Sequence, residues 1–308
     1  MKESFASYFA RWSQSYYARA QKLGKSGDFY TAVSIGPLFG RLIALKLFEL
    51  KPKTIVEIGA NEGYLLSDIA LFLKELGLAP KLVIIEPHER LRALQKEHFA
   101  KLDLELIQLE GPSALKLENA AIISNELFDS FPCDLVDNDK QLFVREHELF
   151  WDELEPEIKE YKNELGCHKG ELRLSLLQYL KELKNCGSFS FLGFDYCDLD
   201  FLGDFSLKVF SKHQVLDPFK LDLSEYFAQS DITANLNLEE LEFCCNKLGF
   251  LNFHKKRQNA ALFDFLNIKI NGTPGLELLM TDPKCAASLK HLSYGLSDNF
   301  YYFSFQNP

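Results

Sequence analysis

Residues Thr54 to Ser67, TIVEIGANEGYLLS, constrain this chain more than any other stretch. A short apolar run (Ile55, Val56, Ile58) leads into Gly59-Ala-Asn-Glu-Gly63 and then directly into Tyr64-Leu-Leu-Ser-Asp-Ile-Ala-Leu-Phe-Leu. The spacing predicts a buried strand, a glycine turn and a helix. Gly59 and Gly63 allow positive φ and close backbone approach to a ligand, because no Cβ stands in the way. The start of the helix then offers amides and the positive end of its dipole to polar ligand groups. A dinucleotide fingerprint needs glycine at the first, third and sixth loop positions, and Asn61 and Tyr64 occupy the third and sixth. The next apolar run, Lys81-Leu-Val-Ile-Ile-Glu86, ends in a carboxylate where both hydroxyls of a ribose can be held. A strand, glycine and helix junction occurs in any α/β protein; the acid at Glu86 tips the reading towards a nucleoside ligand.

The rest of the chain narrows the class. Its 308 residues can bury a substantial core, and 47% hydrophobic with 25% charged residues is ordinary for a globular protein. A formal charge of −10 without a sustained Lys/Arg run argues against a nucleic-acid groove and leaves room for a cationic substrate. Seven cysteines without a CxxC pair suggest free thiols in a reducing compartment, with neither a disulfide framework nor a metal cluster. The N-terminus lacks an apolar leader and no stretch approaches the ~18 apolar residues of a membrane span, so no membrane insertion and a cytoplasmic location are expected.

Taken in order, Phe5, Tyr8, Phe9, Trp12 and Tyr16 recur at helical spacing and predict an aromatic face packed onto the main domain. Gly24-Lys25-Ser26 resembles the end of a phosphate loop, but Arg19 stands where that motif needs its first glycine. The stretch Gly27 to Gly40, with Asp28 near its start, reads as a lid or as a plain helix entry. Further strands are expected at Leu104–Gln108, Ala120–Ser124, Phe189–Tyr196, Phe250–His254 and Asn299–Phe305, with helices between them. The fourth of the strands counted from Thr54 runs into Asn125-Glu-Leu-Phe-Asp-Ser-Phe-Pro132, at the crevice beside the glycine loop. On a helical turn Glu126 and Asp129 share a face, where they can hold a cation or accept its proton. Helix capping, with Asn125 as N-cap, explains the same residues equally well. A hairpin is expected over Asp134 to Glu148, an acidic solvated helix over Trp151 to Glu164, and irregular chain over 198 to 237. The expected fold is α/β, a mostly parallel open sheet with helices on both faces plus an inserted hairpin and helical cap.

These stations together resemble one family. Glu57 with the Gly59-to-Gly63 frame is similar to the first motif of class I S-adenosylmethionine-dependent methyltransferases, a Rossmann-like fold. GDFYTAVSIGPLFG, LVIIEPHERLRALQ, ISNELFDSFP, FLGFDY, SKHQVLDP and DITANLNLEEL look like successive blocks of the MidA-like members, which include a mitochondrial complex I assembly factor that methylates arginine. The resemblance covers about residues 27 to 268. It implies S-adenosylmethionine as cofactor, with Glu57, Gly59, Asn61 and Gly63 on its methionine side, Glu86 on its ribose and Asp28 in a lid over it. It places Asn125 beside the cofactor and makes Glu126 and Asp129 the catalytic candidates between donor and acceptor. Val33-Ser34 stand where the family has Pro-Glu, and Ala60, Asn61 and Glu62 where it has Pro-Gly-Arg.

The implied activity is methyl transfer to an arginine of a protein partner, a respiratory complex subunit being the type case. Transfer to a small molecule and a non-catalytic assembly role are the alternatives, and a homodimer is permitted. The expected division is an N-terminal helical and lid segment over 1–50 and a methyltransferase domain over 51–308, with insertions at about 134–185 and 198–237.

Overall fold

The computed structural model describes residues 2–19, 36–201, 203–283, 285, 287–288 and 299–308. The stretch around Asp28 and the Val33-Ser34 pair lies outside the described residues. The chain forms two compact units. The sheet unit takes the described residues up to Asn125 that follow Gly36, with Asn185–Phe194 and Phe250–Pro308; the second unit takes the N-terminal helix, Glu126–Lys184 and Asp195–Gly249.

In the sheet unit the strands are β1 (Thr54–Ile58), β2 (Lys81–Ile85), β3 (Ile107–Leu109), β4 (Leu117–Asn125), β5 (Gly187–Asp198, whose last four residues belong to the second unit), β6 (Leu251–Arg257) and β7 (Phe300–Asn307). Their order is β6-β7-β5-β4-β1-β2-β3. The ladders from β5 through β3 are parallel, while β6 and β7 run antiparallel to each other. Ile55, Val56 and Ile58 are all buried, the near-continuous apolar run of a parallel strand covered on both faces. Register brings Ile58 level with Ile85 on one side and Ser124 on the other. The strand order reverses between β1 and β4, so the crevice at their carboxyl ends is the topological switch point of the sheet. In β5, a Cβ at Gly193 would lie 2.2 Å from the Phe303 ring, so the aromatic side chain of β7 occupies the space over this glycine.

The expected strands and the observed ones differ at their ends, the third and fourth among them. The third strand starts at Ile107, because Leu102 and Leu104 donate to Phe99 O and are spent closing the Glu89–Lys101 helix. The fourth begins earlier than Ala120, at Leu117.

The second unit is built on antiparallel strands. Lys140–Arg145 pairs with Glu3–Ser4, Asp134–Asp137 and Glu148–Glu153, and Lys169–Leu172 pairs with Asp134–Asp137. The expected hairpin is present and a third strand extends it. Part of the acidic stretch from Trp151 is therefore strand, and the helix starts at Pro156, a residue suited to the first helical position. Residues 198–237, expected to be irregular, contain a three-stranded sheet of Lys208–Ser211, Gln214–Leu216 and Asp231–Thr233. The aromatic face of the Phe5–Arg19 helix is buried with Cys133, Leu135, Leu142, Val144, Val209 and Ile232, and Trp12 Nε1 donates to Ser230 O at 2.6 Å. Its partners are thus the strands of the inserted segments. Among the described residues no helix is long and apolar enough to cross a membrane, and no cluster of His, Cys, Asp and Glu is arranged to hold a metal.

Candidate functional site

The glycine loop joins β1 to the Tyr64–Glu75 helix through three left-handed residues: Gly59 at φ 71°, Asn61 at 48° and Gly63 at 85°. Gly59 N–H donates to Ile85 O at 3.2 Å, tying the loop to the end of β2, and Gly63 N–H closes the turn on Ala60 O at 2.7 Å. A Cβ at Gly63 would meet Phe99 Cε2 at 2.9 Å, so backbone and helix approach more closely than a side chain allows. The wholly buried Gln95 donates through Nε2 to Asn61 O at 2.7 Å and accepts from Gln108 Nε2 at 2.9 Å, fixing the far side of the loop.

Glu57 turns inward beneath this loop. Its Oε2 accepts from Leu66 N–H at 3.1 Å and so satisfies one of the amides that a helix start leaves open. Burial pushes its carboxyl up to about 8, against the lowering by that amide. Glu86 stands where β2 ends: its own N–H donates to Leu109 O at 2.9 Å, and its Oε1 accepts from His88 N–H at 3.0 Å. Arg92 braces the same corner by donating to the Glu86 and Pro87 carbonyls, each at 2.8 Å. Burial raises Glu86 to about 7, with the His88 amide and Arg92 opposing. A carboxylate has about four lone-pair sites, so the His88 amide leaves acceptor capacity for ligand hydroxyls. Ser124, level with Ile58 on β4, has a buried Oγ without a partner among the described residues, and Asn125 ends the strand opposite Phe194.

Glu126 and Asp129 belong to the second unit, and no α-helix carries them. Glu126 sits at φ 51°, a left-handed conformation uncommon for its type, and a short 3₁₀ turn covers Phe128–Ser130. The N-cap of that turn is Leu127, without a side-chain bond, so Asn125 does not cap it. Asp195 holds the loop instead: Oδ2 accepts from Leu127 N–H at 3.1 Å and Phe128 N–H at 2.8 Å, and Oδ1 from Tyr196 N–H at 2.9 Å. Asp129 and Asp195 are both raised, chiefly by burial; Asp129 adds to the rise at Asp195, and Arg173 opposes it at Asp129. Burial, then Glu126, Asp129 and Asp195, push the Tyr196 phenol up to about 12. Three carboxylates therefore concentrate negative charge around one tyrosine. Such a cluster can bind a cation or take a proton from it.

The structure gathers Glu57, Gly59, Asn61, Gly63 and Glu86 at the carboxyl end of the sheet, with Asn125 at the end of β4. In the second unit it groups Glu126 and Asp129 with Asp195. Asp28 lies outside the described residues. Sequence reading missed Gln95, Ser124 and Arg173 as parts of these arrangements. It placed Asp195 only within the expected Phe189–Tyr196 strand, whose acid was the available signal.

Comparison with known proteins places this geometry. A family model described as “Putative S-adenosyl-L-methionine-dependent methyltransferase” matches residues 40–255. A crystal structure of a Burkholderia thailandensis protein bound to S-adenosyl-homocysteine is similar with a TM-score of 0.76 at 18% identity, over 99% of this chain and 87% of that one. A second structure from the same organism, a native crystal form, gives 0.75 at 17% identity with the same coverage. At these identities the likeness concerns the fold. No curated protein matches.

Proposed function

The chain belongs to this family of S-adenosylmethionine-dependent methyltransferases, and from that membership we propose that it methylates an arginine side chain of a protein partner, of the respiratory-subunit type. The sheet unit fits the family's cofactor on three observations: a loop too close to Phe99 for a Cβ at Gly63, a carboxylate with spare acceptor capacity at Glu86, and the unpartnered buried Oγ of Ser124. In this reading Gly59, Asn61 and Gly63 line the methionine portion, with Glu57 holding the helix start behind them. Glu86 binds the ribose hydroxyls, and Asn125 lies beside the cofactor. When bound, S-adenosylmethionine supplies an electrophilic methyl carbon on a sulfonium centre.

The protein's share of the reaction is positioning and proton removal. A guanidinium nitrogen of the acceptor would take the methyl group that the bound cofactor supplies. The nitrogen sheds a proton, and since a guanidinium has a pKa above ~12 it needs an adjacent base. Glu126 receives that proton, with Asp129 as the second carboxylate orienting the planar cation. The observation that carries this acceptor class is the group of Glu126, Asp129 and Asp195 around Tyr196, where burial raises the proton affinity of both aspartates and the charges of Asp129 and Glu126 raise that of Asp195 further. Seven cysteines, all free and buried, suit a reducing cytoplasmic setting.

Incubation with methyl-labelled cofactor and cell extract tests the reading. Label is expected in protein, recovered on arginine after hydrolysis, and Glu126→Gln is expected to lower transfer by at least ~100-fold while cofactor affinity stays within about threefold. Label in extractable metabolite would assign a small-molecule acceptor, and full transfer by Glu126→Gln would remove that residue from the chemistry.

A further inference from the structure

Arg173 follows the Lys169–Leu172 strand and enters the Leu174–Lys184 helix, and its side chain is wholly buried in the second unit. Its Nη2 donates to Ala234 O at 2.5 Å, and Ala234 N–H donates to Asp129 O at 3.0 Å. Two hydrogen bonds thus connect the guanidinium to the backbone of the loop that carries Asp129. Its Nε and Nη1 have no partner among the described residues. A buried cation with two unsatisfied donors is a poor stabilising device, because desolvation costs several kcal/mol per ion unless its hydrogen bonds are complete.

We propose that Arg173 is a positioning residue: it anchors the Asp129 loop through Ala234 and, as a fixed positive charge, makes Asp129 rather than Asp195 the ionised member of the buried pair. This rests on the reading that Asp129 takes part in handling a cationic acceptor. Two buried carboxylates in each other's field do not both ionise readily, so an asymmetry must select one. Asp195 is occupied with the Leu127, Phe128 and Tyr196 amides and feels the negative charges of Asp129 and Glu126. Asp129 feels Arg173, and the surrounding groups that share these fields are Tyr17, Tyr196, Cys133 and Cys197.

The other acids near Arg173 have separate tasks. Glu240 Oε1 accepts from the Arg173 amide and the Tyr161 hydroxyl, and burial raises its carboxyl to about 7. Glu171 Oε1 accepts from the Ser206 and Leu207 amides and the Ser206 hydroxyl. The guanidinium charge is therefore shared, and its asymmetric effect falls on Asp129 within the aspartate pair.

The test is direct titration of Asp129 in the full chain, by the carboxyl carbon shift of ¹³C-aspartate-labelled protein, with the resonance assigned through Asp129→Asn. In Arg173→Gln the Asp129 midpoint is expected to rise by about one pH unit or more, a tenfold gain in proton affinity, and Arg173→Lys is expected to recover most of it. An unmoved midpoint in a folded Arg173→Gln protein, judged by circular dichroism and cofactor binding, overturns the proposal. If that variant does not fold, Asp195→Asn serves: because Asp195 is the neutral member while Asp129 titrates, the Asp129 midpoint should stay in place, and a fall of about one pH unit, which would mark Asp195 as the charged neighbour, overturns the proposal. The acid limb of the pH profile of methyl transfer should rise with the titration in Arg173→Gln. A shifted titration with an unmoved limb removes Asp129, and with it Arg173, from the reaction, while the methyltransferase reading stands.

Discussion

Glu86 sets how the protein responds to pH at the level of a single residue. Burial raises its carboxyl to about 7, whereas the hydroxyls of a bound ribose donate to the ionised form and favour it. The sign follows: the bound state releases the proton that the free state holds below about 7, so cofactor affinity should rise as pH increases from 6 to 8 and then level off. Calorimetric titrations at pH 6, 7 and 8 are expected to show this, with up to roughly tenfold between the extremes, and Glu86→Gln should flatten the dependence and weaken binding by about 1.5–3 kcal/mol. Glu86 was legible in the sequence because one strand and its terminal acid form a local pattern. Asp195 as a clamp on the Leu127 and Phe128 amides was not, because the pairing crosses a separation that only the parallel ladder between β4 and β5 closes.

At the scale of elements, the strand, loop and helix around Gly59 and Gly63 were readable because periodicity and glycine position leave few alternatives. The cost of altering that loop should be measurable. Gly63→Ala combines a Cβ 2.9 Å from Phe99 with a φ of 85°, and denaturant unfolding is expected to show a loss of about 1–3 kcal/mol. Two hairpins of the second unit were harder to read. Glu146-His147 and Lys212-His213 adopt φ values of 50° and 72°, and 49° and 63°, the conformation usually announced by Asn-Gly. Without that signal the end of the Glu148–Glu153 strand, from Trp151, looked helical, and the hairpin over 208–216 looked irregular. The turn after Asn125 is a similar case. Acids at positions 126 and 129 suggested one helical face, and a left-handed Glu126 followed by a 3₁₀ turn stands there instead.

At the scale of the molecule, the second unit is assembled from three separated stretches of chain, and it carries all of the acidic excess behind the formal charge of −10. The aromatic stripe of the Phe5–Arg19 helix announced its burial but not its partners, since those lie in the segments around Cys133, Leu142 and Ile232. Trp12 is wholly buried among them and bonded to Ser230 O. Trp12→Ala is expected to cost about 3–5 kcal/mol, read as a lowered thermal midpoint.

That assembly also has a consequence in time. The Phe5–Arg19 helix leaves the ribosome well before the Ile232 strand that completes its surroundings, which follows about 200 residues later, roughly 10–40 s at ordinary synthesis rates of about 5–20 residues per second. Throughout that interval Phe5, Tyr8, Phe9, Trp12 and Tyr16 form an aromatic stripe without its final partners, a natural point of attachment for a chaperone during translation.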